Sequence, residues 1–179
     1  MLKATGLPLF FPLALVSSMA AAAPLKVKDA SIAFSVKANI GMVIDGTTSA
    51  ITVSEDAKSV TLTVATPTLT TSLELRDKHM REKYLETSKF PEATLVVEKS
   101  CLAFPEAGEK SGECPGAFTL HGETKPVTVK YKAKVAGGAT EVDASFAANF
   151  TDHGVKEPKY LGIRVKPEVD VKAKFTATR

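Results

Sequence analysis

The chain has 179 residues, 44% hydrophobic and 24% charged, which suits one domain with a sizeable core. Its 23 Lys and Arg nearly balance its 20 Asp and Glu, and the lysines alternate along strands instead of clustering with aromatics, so a nucleic-acid binder is disfavoured. No repeat, low-complexity tract or linker divides it.

The first stretch reads as a secretory leader. Lys3 precedes an apolar run from Leu7 to Val16, then Ser17-Ser18-Met19 and four alanines with an A-x-A site. The run is shorter than the roughly 20 residues that span a bilayer, and prolines interrupt it. Residues 1–22 are therefore expected to be a signal peptide cut near Ala22 or Ala23, with residues 23–179 as the exported domain. Only Lys3 among charged residues leaves with it, so 22 cationic side chains face 20 anionic ones. No later segment is long and apolar enough to be read as a membrane span.

Alternation with period two then dominates. Ile32, Phe34 and Val36 share one face against Ser31, Ser35 and Lys37. A bend at Gly41 and a turn dipeptide at Asp45-Gly46 lead to a short strand over Ala50 to Ser54. Val60, Leu62 and Val64 alternate with threonines until Pro67, so this strand ends near Thr66.

Leu75 to Pro91 breaks the pattern. Met80, Tyr84 and Thr87 or Ser88 fall at helical spacing, with Leu85 beside them and Arg, Lys and Glu opposite, predicting one amphipathic helix of about three turns. Asp77 stands where a carboxylate can accept from the free N–H groups of a helix start. Phe90-Pro91 ends the run.

Strands resume near Ala93 and run to Phe104, followed by a Gly-, Glu- and Pro-rich turn over Pro105 to Gly116. Phe118 and Leu120 lead into a turn at His121-Gly122, then Val127, Val129, Tyr131, Ala133 and Val135 face inward against lysines. Gly137-Gly138 is a hairpin turn, after which Val142, Ala144, Phe146, Ala148 and Phe150 share a face. An irregular loop covers Asp152 to Gly162, and the last strand turns Val165, Val169, Val171, Ala173 and Phe175 inward.

This pattern predicts an all-β fold: about eight antiparallel strands with one amphipathic helix set among them. Sandwich and barrel both satisfy it, and the long strands and the need to remove edges favour a barrel. Inward alanines at 133, 144, 148 and 173 favour a cavity over a packed interior. Cys101 and Cys114, 13 positions apart, are expected to form a disulfide in an exported protein, closing a loop worth roughly 3 kcal/mol in the chain-entropy model. His79, His121 and His153 lie at no metal-ligand spacing, and the last two have outward parity, so they read as turn and surface residues. Arg76, Asp77 and His79 form the polar cluster that could orient a head group or act on it, or simply hold a helix start by an ion pair.

Several segments, in order, resemble the YceI-like family of polyisoprenoid-binding proteins. They are Phe34-Ser35-Val36-Lys37, Leu75-Arg76-Asp77-Lys78-His79-Met80-Arg81 (similar to R-D-x-H-L), Lys89-Phe90-Pro91 (K-[YF]-P), and Leu120-His121-Gly122-Glu123-Thr124-Lys125-Pro126-Val127 (L-x-x-H-G-x-T-K-P-V). Where the family often has R-[ST]-D-F-G, this chain has Phe150-Thr151-Asp152-His153-Gly154. The resemblance implies an extended eight-stranded antiparallel barrel of lipocalin-like shape, exported to the bacterial periplasm. Its interior would hold a polyprenyl lipid, an isoprenoid quinone or a fatty-acid-like amphiphile as ligand, with no resident cofactor and no metal.

On that reading Phe34, Val36, Leu62, Phe118, Tyr131, Phe146 and Phe175 line a tunnel. Leu85 and Phe90 cover it, and Arg76, Asp77 and His79 stand at its mouth. No catalytic residue is assigned. The rivals are an enzyme acting on such a lipid through Arg76, Asp77 and His79, and a packed barrel serving as an interaction or stress protein without ligand. The sequence leaves the oligomeric state open, a homodimer included.

Overall fold

The computed structural model of the chain describes residues 25–178. The leader expected over residues 1–22 lies outside them. The strands are β1 (Lys26–Ala38), β2 (Val43–Thr48), β3 (Ile51–Glu55), β4 (Ser59–Ala65), β5 (Glu92–Glu98), β6 (Glu109–Leu120), β7 (Glu123–Ala136), β8 (Ala139–Asn149), the two-residue β9 (Lys159–Tyr160) and β10 (Ile163–Thr178). A helix, α1 (Glu74–His79), follows β4 and loosens into a π-turn over Met80–Tyr84.

The sheet is antiparallel throughout, in the order β2-β1-β10-β8-β7-β6-β5-β4-β3, with β9 pairing only with β10. The two ends of that path, β2 and β3, are consecutive in the chain and separated by Ser49 and Ala50 alone. One kinked strand therefore pairs with β1 by its first half and with β4 by its second, which brings the sheet round into a nearly closed barrel. That kink makes the path nine strands where eight were expected.

Strand burial follows the alternation. In β2 and β5, for example, every second residue is buried and the neighbours between are more exposed. Asp45-Gly46, read as a turn, lies inside β2. Gly46 is there for close packing: a Cβ at this position would stand 2.2 Å from the ring of Phe34, which lies across the strand from it. The turns at His121-Gly122 and Gly137-Gly138 are as expected, all four residues having positive φ.

The helix is shorter than its pattern. It begins at Glu74 and its last i→i+5 bond runs from Leu85 N–H to Met80 C=O at 2.8 Å, after which Glu86 takes φ +44°. The turn expected over Pro105 to Gly116 also ends early, because β6 starts at Glu109. Cys114 thus lies within β6, opposite Val129, and is bonded to Cys101 in the turn after β5.

The barrel has two unlike ends. At one end the disulfide, the β3–β4, β5–β6 and β7–β8 connections and a packed core of Val53, Val60, Val97, Val129, Tyr131, Ala133, Val142 and Phe175 fill the interior. At the other end lie the β1–β2 turn, the segment 66–91 with the helix, the His121-Gly122 turn and the loop from β8 to β10. The interior is not filled there.

Candidate functional site

The open end holds a cavity of about 570 Å³. Its wall comes from alternate residues of β1 (Phe34, Val36), β4 (Leu62, Val64), β5 (Ala93, Leu95), β6 (Phe118, Leu120), β8 (Ala144, Phe146) and β10 (Val171, Ala173). Leu69, Met80, Tyr84 and Leu85 cover it from the helix side, and Phe150 and Val155 from the loop opposite. The rings of Phe118 and Phe146 meet at 4.9 Å between centroids, with Phe118 also edge-on to His153 at 5.2 Å. Polar side chains in the lining are few, and Glu74, Arg76, His79 and Lys159 among them stand on α1 and β9, at the mouth.

Of the predicted site residues, Phe34, Val36, Leu62, Leu85, Phe118, Phe146, Arg76 and His79 border this cavity. Tyr131 and Phe175 point inward as their parity requires, but lie in the packed half. The Tyr131 hydroxyl accepts a hydrogen bond from Ala103 N–H at 2.9 Å, tying the β5–β6 turn to the core. Phe90 packs outside the cover, its ring 4.1 Å from that of His121. Parity gives a residue's face and says nothing of its height along the barrel. Ile44, Leu69, Met80, Phe150 and Val169 line the cavity although they were outside the predicted ligand set. Met80 and Phe150 were legible as inward residues, whereas Leu69 sits on a strap with no periodicity.

Asp77 does a different job from the one its position suggested. Its carboxylate reaches back past the helix start to the strap Leu69–Ser72, accepting from Thr70 Oγ1 (2.6 Å), Thr71 N–H (2.7 Å) and the Thr71 hydroxyl. Arg81 stands 3.9 Å from the same carboxylate and donates to Leu69 C=O, while Arg76 donates to the Thr71 hydroxyl and carbonyl. Burial is the largest influence on the Asp77 carboxyl and pushes its pKa up. The bonds from Thr70 and Thr71, with Arg81 beside them, outweigh it and hold the group below its ordinary value. Asp77 is thus an ionised clamp joining strap and helix, and it does not border the cavity. The strap itself bridges to β2 through paired Thr47 and Thr70 backbone bonds.

The other two histidines are not surface residues. His153 is 1% exposed and donates from Nδ1 to Glu123 C=O at 2.8 Å. This bond matters because β7 and β8 pair only from Lys130↔Ser145 upward, so below that register the two strands part and His153 closes the parting. Ala148, expected at the tunnel wall, borders this outer cleft instead. His121 donates from Nε2 to Glu86 at 3.0 Å, and Glu86 also accepts from Lys89 at 2.6 Å. Lys89, and then His121, hold the Glu86 carboxyl below its usual range. Lys89-Phe90 and His121-Gly122, far apart in sequence, thus make one cluster that staples the end of the helical segment to the β6–β7 turn. Among the described residues no three His, Cys, Asp or Glu converge as metal ligands, and no helix is long and apolar enough to cross a membrane.

Residues 24–177 match the model of the YceI-like domain. Relatives include UPF0312 proteins of Pseudomonas savastanoi pv. phaseolicola and Pseudomonas syringae pv. tomato, each 32% identical over 121 residues, or 64% of this chain and 61% of theirs. The match therefore spans less than two thirds of those relatives' length. Among solved structures, a polyisoprenoid binding domain from Saccharophagus degradans superposes with a TM-score of 0.71 at 11% identity, over 87% of this chain and 97% of that one. BcnA of Burkholderia cenocepacia gives 0.69 at 17% identity, over 86% and 100%. At such identities the likeness is one of fold.

Proposed function

This chain belongs to the YceI-like family, and from that premise we propose that it binds one long apolar chain inside its barrel and carries or sequesters it. The ligand class is a polyprenyl lipid, an isoprenoid quinone or a fatty-acid-like amphiphile. The observation that carries the reading is the cavity: about 570 Å³ walled by aliphatic and aromatic side chains, with its charged groups confined to the mouth. That volume lies within the usual range of small-molecule sites. Each methylene buried there contributes about 0.8 kcal/mol before ordering costs, so some ten of them supply the bulk of a tight affinity. The naming of the Saccharophagus degradans domain as polyisoprenoid-binding supports the same ligand class.

A head group fits the mouth, where Arg76 keeps part of its guanidinium on Thr71 and His79 is exposed. No acid–base role is assigned, since the Asp77 carboxylate is taken up by the strap. A leader of the kind expected over residues 1–22, together with the disulfide, agrees with work in the periplasm. The test is a titration of the delipidated protein with a fluorescent apolar probe, followed by displacement with amphiphiles of increasing chain length. Affinity that climbs with chain length and then levels off supports the reading. Failure of long chains to displace the probe better than short ones would remove it.

A further inference from the structure

Six large hydrophobic side chains are exposed among the described residues, namely Ile40, Met42, Val43, Leu73, Leu75 and Leu161, and all six sit at the open end. They come from three separate segments, the β1–β2 turn with the first residue of β2, the start of α1 with Leu73 before it, and the β9–β10 turn. Asn39 joins two of them: its amide donates to Gly162 C=O at 3.1 Å and accepts from Arg164 N–H at 3.0 Å. Met42, Leu73 and Leu75 also border the cavity, so the exposed rim and the interior wall are one continuous apolar surface.

The β9–β10 turn is the most telling. Leu161 and Gly162 have φ +47° and +83°, the backbone of a two-residue hairpin turn that favours Asn, Asp or Gly at its first position. A leucine there is strained and 85% exposed, at a place where a polar residue is both easier to fold and better solvated.

Around these tips the charge is one-sided. Segments 37–43, 72–78 and 156–166 together carry seven Lys and Arg against three carboxylates, Glu74, Glu157 and the clamped Asp77, in a domain whose charges otherwise nearly cancel. Apolar tips set in a cationic collar match an anionic bilayer surface, which takes the tips among its acyl chains and holds the collar at its phosphates. A second copy of this chain matches less well, because a two-fold interface through this end would bring the same cations face to face.

We propose that the open end docks on an anionic lipid bilayer. Its purpose, passing a lipid between bilayer and cavity, rests on the carrier reading.

The test is co-sedimentation of the mature chain with phosphatidylethanolamine–phosphatidylglycerol vesicles, compared with phosphatidylcholine vesicles. Ile40→Ser and Leu161→Asn are the variants, since neither residue borders the cavity. We expect binding to the anionic vesicles that weakens with salt, and a loss of about tenfold in partitioning for each side chain withdrawn, with probe uptake unchanged and thermal stability held for Ile40→Ser and held or raised for Leu161→Asn. N-phenyl-1-naphthylamine added from solution reports the cavity separately. Vesicle binding without probe uptake supports docking and removes the carrier reading. Probe uptake without vesicle binding overturns docking alone, as do variants that sediment like the parent. A dimer that Leu161→Asn dissociates would assign the rim to a second copy and overturn the proposal.

Discussion

Ala144 stands at the floor of the cavity, in register with Ala173 on one side and with Tyr131 of the packed half on the other. Ala144→Phe adds a phenyl ring to that floor. If the space is a ligand site, the ring displaces about six carbons of the bound chain, and at roughly 0.8 kcal/mol each this removes some 5 kcal/mol of binding, more than a thousandfold in affinity. The protein itself then loses nothing, because the ring fills space that no side chain occupies. Its melting temperature should hold or rise. Were the interior closed up by side chains, the same ring would overpack it at a cost of about 1–3 kcal/mol. The assay pairs lipid extraction and mass analysis of the purified variant with a thermal melt. A steep fall in melting temperature with unchanged lipid content would show an interior already filled by side chains.

Further outcomes follow from the clamp, the disulfide and the glycine at Phe34. Asp77→Asn leaves the threonine donors and Arg81 without their carboxylate and should cost roughly 2–4 kcal/mol in a denaturant titration. The Asp77 carboxyl is held below its unfolded value, so its contribution is in place above about pH 4 and is lost as pH falls through the lower folded value. Melting temperature in acid should accordingly drop more steeply for the parent than for Asp77→Asn. Cys101→Ser with Cys114→Ser opens a loop spanning 13 positions and should cost about 3 kcal/mol at equilibrium while leaving probe affinity alone, since the bond lies at the packed end. Gly46→Val drives a side chain into the Phe34 ring and should weaken probe binding and stability together, by about 1–3 kcal/mol in the latter.

The barrel was legible because each strand is a simple alternation, and a face is all that period two encodes. What the alternation lacks is depth. Phe146 and Phe175 look equivalent in sequence, yet one walls the cavity and the other packs beneath it, because strand stagger around the barrel sets their height. The helix boundary slipped for a related reason: the amphipathic pattern continues past Tyr84, while Glu86 leaves the helix to meet Lys89 and His121. Local rules make Asp77 a helix-start acceptor and His153 a surface turn residue, and the structure gives neither that role. Their true partners, Thr70 and Glu123 C=O, are fixed by tertiary contacts that spacing does not carry. The rim at Ile40, Leu73 and Leu161 went unseen for the same reason, since each residue alone is an unremarkable loop hydrophobe.

Native mass spectrometry of the mature chain, purified from a bacterial periplasm without detergent, bears most directly on the ligand claim. The expected mass is that of a protein lacking residues 1–22 and two hydrogens, carrying one bound molecule that is released on activation and identified as a long-chain lipid. A homogeneous ligand-free mass, unaltered after incubation with polyprenyl lipids and quinones, would contradict it.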